Sequence, residues 1–421
     1  MNMRIVYDNA LERATTLTAS SEASSQMSAA KLRIDDKDTL WRATGTAAAL
    51  RLAWPTAEVL GCAVLAPCNF SPAATMRVRL TNETPTTNVL TAPNDFTNAA
   101  WARTNLSPTP GVAGPDGTNS GTTLTATAAN AEIKQTRTVT AGPNASSIFI
   151  RRRTGTGAVS IRNAANTAWI PLTLSAGWTR VSNDAGATGT SALVDILIAT
   201  SGDAIDVAYA QLEAGSMTSY YPGTRPLGYI DGWQSYAYDS GAVLCCPAPA
   251  VKLRGFTATQ AASAYAYGGG TYAVVWCPQM QAVGMAIDIV DPGNLQGYLE
   301  AACLAAGPYW SPQYNASDAS LTVVDTTDLY RKASGAQGAD RGFTYRRLPV
   351  DLSVMPAPDR AAFANITRNS RAYPILVSVY PGSADAALER DNMVYGRRTK
   401  DSDIAIQYAT AYGSTVEIEE I

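Results

Sequence analysis

The sequence predicts a mostly all-β chain: a jelly-roll or β-sandwich host domain interrupted by an inserted β-sandwich, followed by a small α+β region. Three observations point there. The run TMRVRL at 75–80 alternates like a half-buried strand and then dissolves into Thr, Asn and Pro. From about 86 to 222 the chain turns to Thr, Ala, Asn, Ser and Gly with few charges, and the earlier aromatic, mixed-charge texture returns at 228–236. Short apolar runs recur between turn signals at the roughly 8–12-residue spacing of a sandwich or barrel. An insertion leaves its host's core intact only if the inserted piece folds by itself with its ends close together. The expected division is therefore 1–85 with 223–310 as host, 86–222 as insert, and 311–421 as a C-terminal α+β region.

The elements follow in order. Residues 4–8 (RIVYD) read as a first strand, and 14–30, rich in Thr, Ser and Ala, as a loop. Residues 47–54 and the apolar run VLGCAVL at 59–65 come next, the latter short enough for a buried core strand. Pro55, Pro67 and Pro72 punctuate these runs. After the insert, 242–246, 251–254 and 272–277 are strand candidates, with a glycine turn at 268–270. Residues 285–290 (MAIDIV) alternate well and lead into Asp291-Pro-Gly-Asn294, a turn in which Pro and Gly set the backbone angles. Residues 299–306 form the next strand. Residues 358–368 are the best helix, with Pro at its start. Residues 375–380 are a strong strand, and 404–410 with 415–419 make a final hairpin around Tyr412-Gly413. Within the insert, strands fall at 148–150, 159–162, 169–174, 178–181, 193–198 and 207–212, enough for a two-sheet jelly roll.

Composition excludes several chemistries. The chain has 421 residues, and 46% of them are hydrophobic, enough for real cores; only 16% are charged, below the roughly 25% of typical soluble domains. The net charge of −3 argues against nucleic acid as main partner, because such binding needs a basic face. There is no histidine, which removes Ser-His-Asp and Cys-His catalysis and His-ligated zinc. Six cysteines form no Cys-x-x-Cys pair, and the adjacent Cys245 and Cys246 read as small buried hydrophobes on opposite strand faces. No apolar signal core or membrane span is visible, so the expectation is a cytosol-made protein with reduced thiols.

The insert resembles carbohydrate-binding modules of bacteriophage tail proteins. The resemblance rests on NVLTAPNDFTNAAW at 88–101, AGPDGT at 113–118, QTRTVT at 135–140, SIFIRR at 147–152, GWTRV at 177–181, AQLEAG at 210–215 and TSYYP at 218–222. The host is similar to phage tail or baseplate proteins, through LWRATG at 40–45, ATMRVR at 74–79 and DIVDPGNLQGY at 288–298, and its first part resembles discoidin-like jelly rolls. The resemblance implies a virion structural protein at the tail tip or baseplate, without a cofactor or catalysis. Its implied partners are other tail proteins, further copies of itself in a ring, and host surface polysaccharide. A purely architectural role and a glycan-degrading enzyme using carboxylates are the alternatives.

Candidate sugar-binding residues are the aromatics Trp101, Trp169, Trp178, Tyr220 and Tyr221, because aromatic rings stack on the apolar faces of sugars. Trp169 and Trp178 lie in strands and read more simply as filling the sandwich core. Arg151 and Arg153 share one strand face and would meet an acidic or phosphorylated glycan, or else be solvated edge charges. Asp195, Asp203 and Asp206 offer oxygen ligands for calcium without EF-hand spacing, and read more simply as turn residues. Asp288 and Asp291 imitate a glycosidase pair, but the latter belongs to a turn.

Overall fold

The computed structural model describes residues 2–83, 86–162, 164–165, 168–224, 228, 236–246, 271–340, 342–408 and 411–421. The strand candidate at 251–254, the glycine turn at 268–270 and residues 229–235 of the returning texture lie outside them. The fold is mostly β, in several antiparallel sheets. It divides into two units: Met1–Asn82 with Tyr236–Ile421, and Glu83–Ser235.

In the first unit an eight-stranded sheet is built on two long partners, Ala47–Cys68 and Thr271–Val290. The first half of Ala47–Cys68 alternates: Ala48, Leu50 and Leu52 point into one core, while Ala47, Ala49 and Arg51 do not. From Leu60 onward, within the apolar run expected from sequence, it is buried on both faces. Leu60, Ala63 and Leu65 join the first core, and Cys62, Val64 and Ala66 join another. Thr75–Thr81 flanks Thr271–Val290, and Glu300–Gly307 flanks Ala47–Cys68. The stretch expected as a loop at 14–30 instead holds a strand, Thr16–Ala19, and 3₁₀ turns at Ser25–Met27 and Ala29–Arg33. Ala29 and Leu32 are buried apolar residues, and that burial orders the segment. The indole of Trp54 donates to the Ala10 carbonyl at 2.7 Å, so this large ring is buried with its one donor satisfied. Cys245 and Cys246, expected on opposite faces, lie in the same core just beyond the short strand Val243–Leu244.

A nine-stranded sheet packs on the other face of the first. Val6, Leu376, Met393 and Tyr395 meet Cys62, Val64, Ala302 and Cys303 in one cluster. The first strand, Arg4–Val6, belongs to this second sheet, where it pairs with Ile375–Ser378 and Tyr309–Trp310. Arg4–Val6 thus lies in a different sheet from Ala47–Cys68 and Thr75–Thr81, two other strands of the expected host segment 1–85. On the far face, Phe363 and Ile366 of the helix Ala357–Asn369 bury against Leu348, Val350 and Val377. The final hairpin pairs Ala405–Tyr408 with Ala411–Glu420. Tyr412 and Gly413 lie inside the second of these strands and not at the turn, since Ile406 faces Tyr412.

The second unit is a two-sheet sandwich. One sheet orders Thr179–Thr188, Gly142–Thr154, Ala204–Ala214, Gly121–Ala126 and Leu106–Val112. The other orders Trp169–Leu172, Val159–Arg162, Ser191–Ile198, Ala131–Thr138 and Ala102–Thr104. Ile148, Ile150, Ile205 and Val207 of the first sheet meet Ile133, Ile161, Val194 and Ile196 of the second. At the base, Asn88 is buried; its side chain donates to the Ala210 carbonyl at 3.0 Å and accepts from the amides of Leu90 and Leu212.

Gly396 faces Glu420 in the second sheet of the first unit, and a Cβ there would collide with the Glu419 carbonyl oxygen. Backbone must move to admit it, so Gly396→Ala is expected to cost about 1–3 kcal/mol. Thermal unfolding of the full chain checks this; an unchanged melting temperature would contradict the close approach.

Candidate functional site

The outer face of the sheet centred on Gly142–Thr154 and Ala204–Ala214 gathers most of the candidates. Because Ile148 and Ile150 point inward, Phe149, Arg151 and Arg153 point out. On the neighbouring strand Ile205 and Val207 point inward, so Asp206 and Ala208 point out. The ladder slips between Ser147 and Phe149, opposite Gln211 and Ala208. Tyr209 sits in that bulge with φ of 54°. Its amide is held by Asn94 Oδ1 at 2.8 Å, and its hydroxyl donates to Asp116 at 2.5 Å. The bulge places the Tyr209 ring 6.1 Å from Phe149, edge-on, and 4.6 Å from Tyr220. Half-buried Phe149 and Trp178 border this small aromatic cluster.

Asp206 organises the charges. It is buried, and its carboxylate accepts from Arg151 Nε at 2.8 Å, from Thr123 Oγ1 at 2.7 Å and from Arg153 Nη1 at 3.3 Å. The Arg151 guanidinium lies 4.7 Å from the centre of the Trp178 ring. Trp178 is itself fixed by a hydrogen bond from its indole to the Ala113 carbonyl at 3.2 Å. On the next strand Arg180 stands opposite Phe149, with its guanidinium 5.6 Å from that ring and a bond to Ser147 Oγ at 2.9 Å. Burial would raise Asp116, but hydrogen bonds from Tyr209, Thr118 and Ser120 outweigh it and hold the carboxyl below its usual range. Burial and the same bond push the Tyr209 hydroxyl up. Tyr221 is half-buried, and its amide donates to the side chain of Gln211.

The remaining candidates are elsewhere. Trp101 is only 1% exposed and packs in the sandwich core, 4.9 Å from Phe96, with its indole on the Ala92 carbonyl. Buried in this way, it is no stacking platform. Trp169 is half-buried on the outer face of the opposite sheet, under the Arg162 guanidinium at 4.1 Å. The three aspartates considered for calcium are separated by their partners: Asp195 meets Arg162, Asp203 accepts from the Gly157 amide, and Asp206 holds Arg151. Asp288 pairs with Arg51 and Arg79, while Asp291 accepts from Ser71, so the two do not form a carboxylate pair. Sequence reading missed Phe149, Tyr209 and Arg180. Phe149 was legible as the outward residue between two inward isoleucines. Tyr209 was not, because the bulge breaks the alternation.

No family model matches the chain, and no curated protein matches it. Solved structures similar to part of it include the enzymatically active domain of tailspike protein 4 of bacteriophage CBA120, at 12% identity and a TM-score of 0.24, covering 30% of this chain and 21% of that one. A Clostridium thermocellum xylanase 10B fragment carrying a CBM22-1 module matches at 15% identity and a TM-score of 0.24, covering 32% of this chain and 30% of that one. A carbohydrate-binding module of Cellvibrio mixtus lichenase 5A, in complex with cellotriose, matches at 10% identity and a TM-score of 0.22, covering 32% of this chain and 98% of that one. The chain thus spans less than a third of the first two proteins it matches.

Two predictions follow from these placements. Trp101→Ala is expected to destabilise the sandwich by about 3–5 kcal/mol, as loss of a buried indole does. Denaturation followed by circular dichroism checks it, and a fully stable variant would contradict the core position. The second concerns Asp195. Burial, then the negative charge of Glu132, push its carboxyl up to about 7 from an ordinary 3.8, while Lys134 and Arg162 pull the other way. The folded chain therefore keeps a proton that the unfolded chain releases, so this group's contribution to stability declines as pH rises from about 4 to 7. Asp195→Asn is expected to flatten the melting temperature between pH 5 and 7.5. Parallel profiles for variant and parent would sink the assignment.

Proposed function

We propose that the chain is a structural component of a phage tail tip or baseplate, that it assembles into a ring, and that its Glu83–Ser235 unit contacts host surface polysaccharide. The observation that carries the polysaccharide reading is the outer sheet face on which Asp206 holds Arg151 over the Trp178 ring, while Arg180 lies beside Phe149. Sugar sites combine ring surfaces with a few fixed polar groups, and sites on strands are held more rigidly than sites on loops. Ring copies would add avidity to weak single contacts, by factors of about 10²–10⁴ where geometry allows. The ring and tail assignments rest on the sequence resemblance of the host region.

The architectural reading has its own support in the first unit. Val323, Leu329, Tyr330 and Phe343 are exposed around the two-stranded hairpin of Asp328–Arg331 and Gln337–Asp340. Such surface suits contact between neighbouring subunits. In that reading the module touches only other virion proteins.

The full chain and its Trp178→Ala variant are to be compared for binding to an array of bacterial surface polysaccharides. Removing the ring that fixes Arg151 is expected to weaken binding about tenfold, corresponding to about 1.4 kcal/mol, with the circular dichroism spectrum unchanged. Equal binding by both proteins would move the site off this face, and absence of binding by either would favour the architectural reading.

A further inference from the structure

We infer that this face selects an anionic glycan, one that presents carboxylate or phosphate oxygens to Arg151 and Arg153. The inference rests on the polysaccharide reading above and narrows it to a ligand class.

The argument begins with the rings. A neutral-sugar platform needs a bare aromatic face. Here the Trp178 ring carries the Arg151 guanidinium at 4.7 Å, and the Phe149 ring carries the Arg180 guanidinium at 5.6 Å. What the face offers outward is therefore guanidinium more than ring. Stacking on a ring fixes the plane of a guanidinium and lowers the entropy lost when it binds.

Charge counting leads the same way. Among the described residues, Asp206 is the carboxylate that pairs with both Arg151 and Arg153. One negative charge against two positive ones leaves an excess of one cation. Asp206 is 1% exposed by its side chain, Arg151 is 25% exposed and Arg153 is 48% exposed, so the anion is beneath and the cations are on top. The ladder slips between Arg152 and Thr154, and Arg153 sits in that irregularity, which brings it to the same carboxylate as its neighbour two positions back. The bonds to Asp206 use Nε of Arg151 and Nη1 of Arg153. Each guanidinium carries five donors in a planar fork whose spacing matches the two oxygens of a carboxylate or phosphate. Arg152, by contrast, turns to the Gly157 carbonyl at 2.8 Å and to Asp203 at 3.5 Å, a balanced pair outside this cluster.

The test uses the full chain on immobilised polygalacturonate, on the same polymer after carboxyl reduction to neutral galactan, on a phosphate-bearing mannan, and on a wider neutral polysaccharide array. Binding to polygalacturonate or phosphomannan at least tenfold tighter than to the neutral polymers, and weakened by added salt, is the expected result; the two anionic arms separate carboxylate from phosphate. Arg153→Gln keeps the Arg151–Asp206 bond and should fold. It is expected to lose about tenfold on the anionic polymer and nothing on neutral ones. Equal affinity for charged and neutral polymers would overturn the anionic inference and leave the polysaccharide reading standing. Tight anionic binding untouched by Arg153→Gln, and by the triple variant Arg151→Gln, Arg153→Gln, Asp206→Asn that removes all three charges and leaves no carboxylate unpaired, would overturn the site. Binding to no polysaccharide at all would overturn both readings.

Discussion

Leu80 and Tyr238 face each other across an antiparallel pair, as do Arg79 and Asp239, although more than 150 positions separate them in the chain. The first unit depends on this closure. Thr75–Thr81 is the last strand before the interruption, and it is held between Thr271–Val290 on one side and the returning segment on the other. Arg79 lies at the junction and is almost wholly buried. Its guanidinium bonds the Tyr236 hydroxyl at 2.7 Å and Asp288 on the neighbouring strand. A buried cation without its partners is strongly unfavourable, so Tyr236 and Asp288, both supplied by the chain that follows the second unit, must be in place. Strand pairing supplies the geometry, and the buried charge fixes the register.

Much of the architecture was legible because its signal was local. The run at 59–65 is apolar at every position, and from Leu60 onward the structure buries both of its faces. The helix at 357–369 was marked by its initial Pro and its spaced Phe363 and Ile366. Strand Gly121–Ala126 escaped because it is made largely of Thr and Ala, with Leu124 its one large apolar residue. Thr is β-branched and fits a pleated surface well, so the same composition builds strands once it is paired. The position of Arg4–Val6 was not legible at all. Three residues carry no information about which of two sheets, formed hundreds of positions later, will accept them.

The candidate site divides along the same line. Arg151 and Arg153 on one face followed from simple alternation, and the structure places them together with Trp178. Tyr209 and Trp101 went the other way. The first is turned onto the face by a bulge and a positive φ, and the second is drawn into the core by Phe96. Neither bulges nor the competition among tryptophans for interior space has a sequence period. Asp206 was visible as a carboxylate but not as an organiser, since that role depends on Thr123, Arg151 and Arg153 arriving from two other strands.

The second unit also closes at its own base. Thr87 bridges Thr224, and the Asn88 amide donates to the Gly223 carbonyl at 3.0 Å. A segment whose two ends meet in this way can be exchanged by recombination for any other segment with the same footprint, with no change to the strands that flank it. Selection can then act on the two parts at different rates: the framework drifts under the demands of packing, while the segment between the closing strands can be replaced whole.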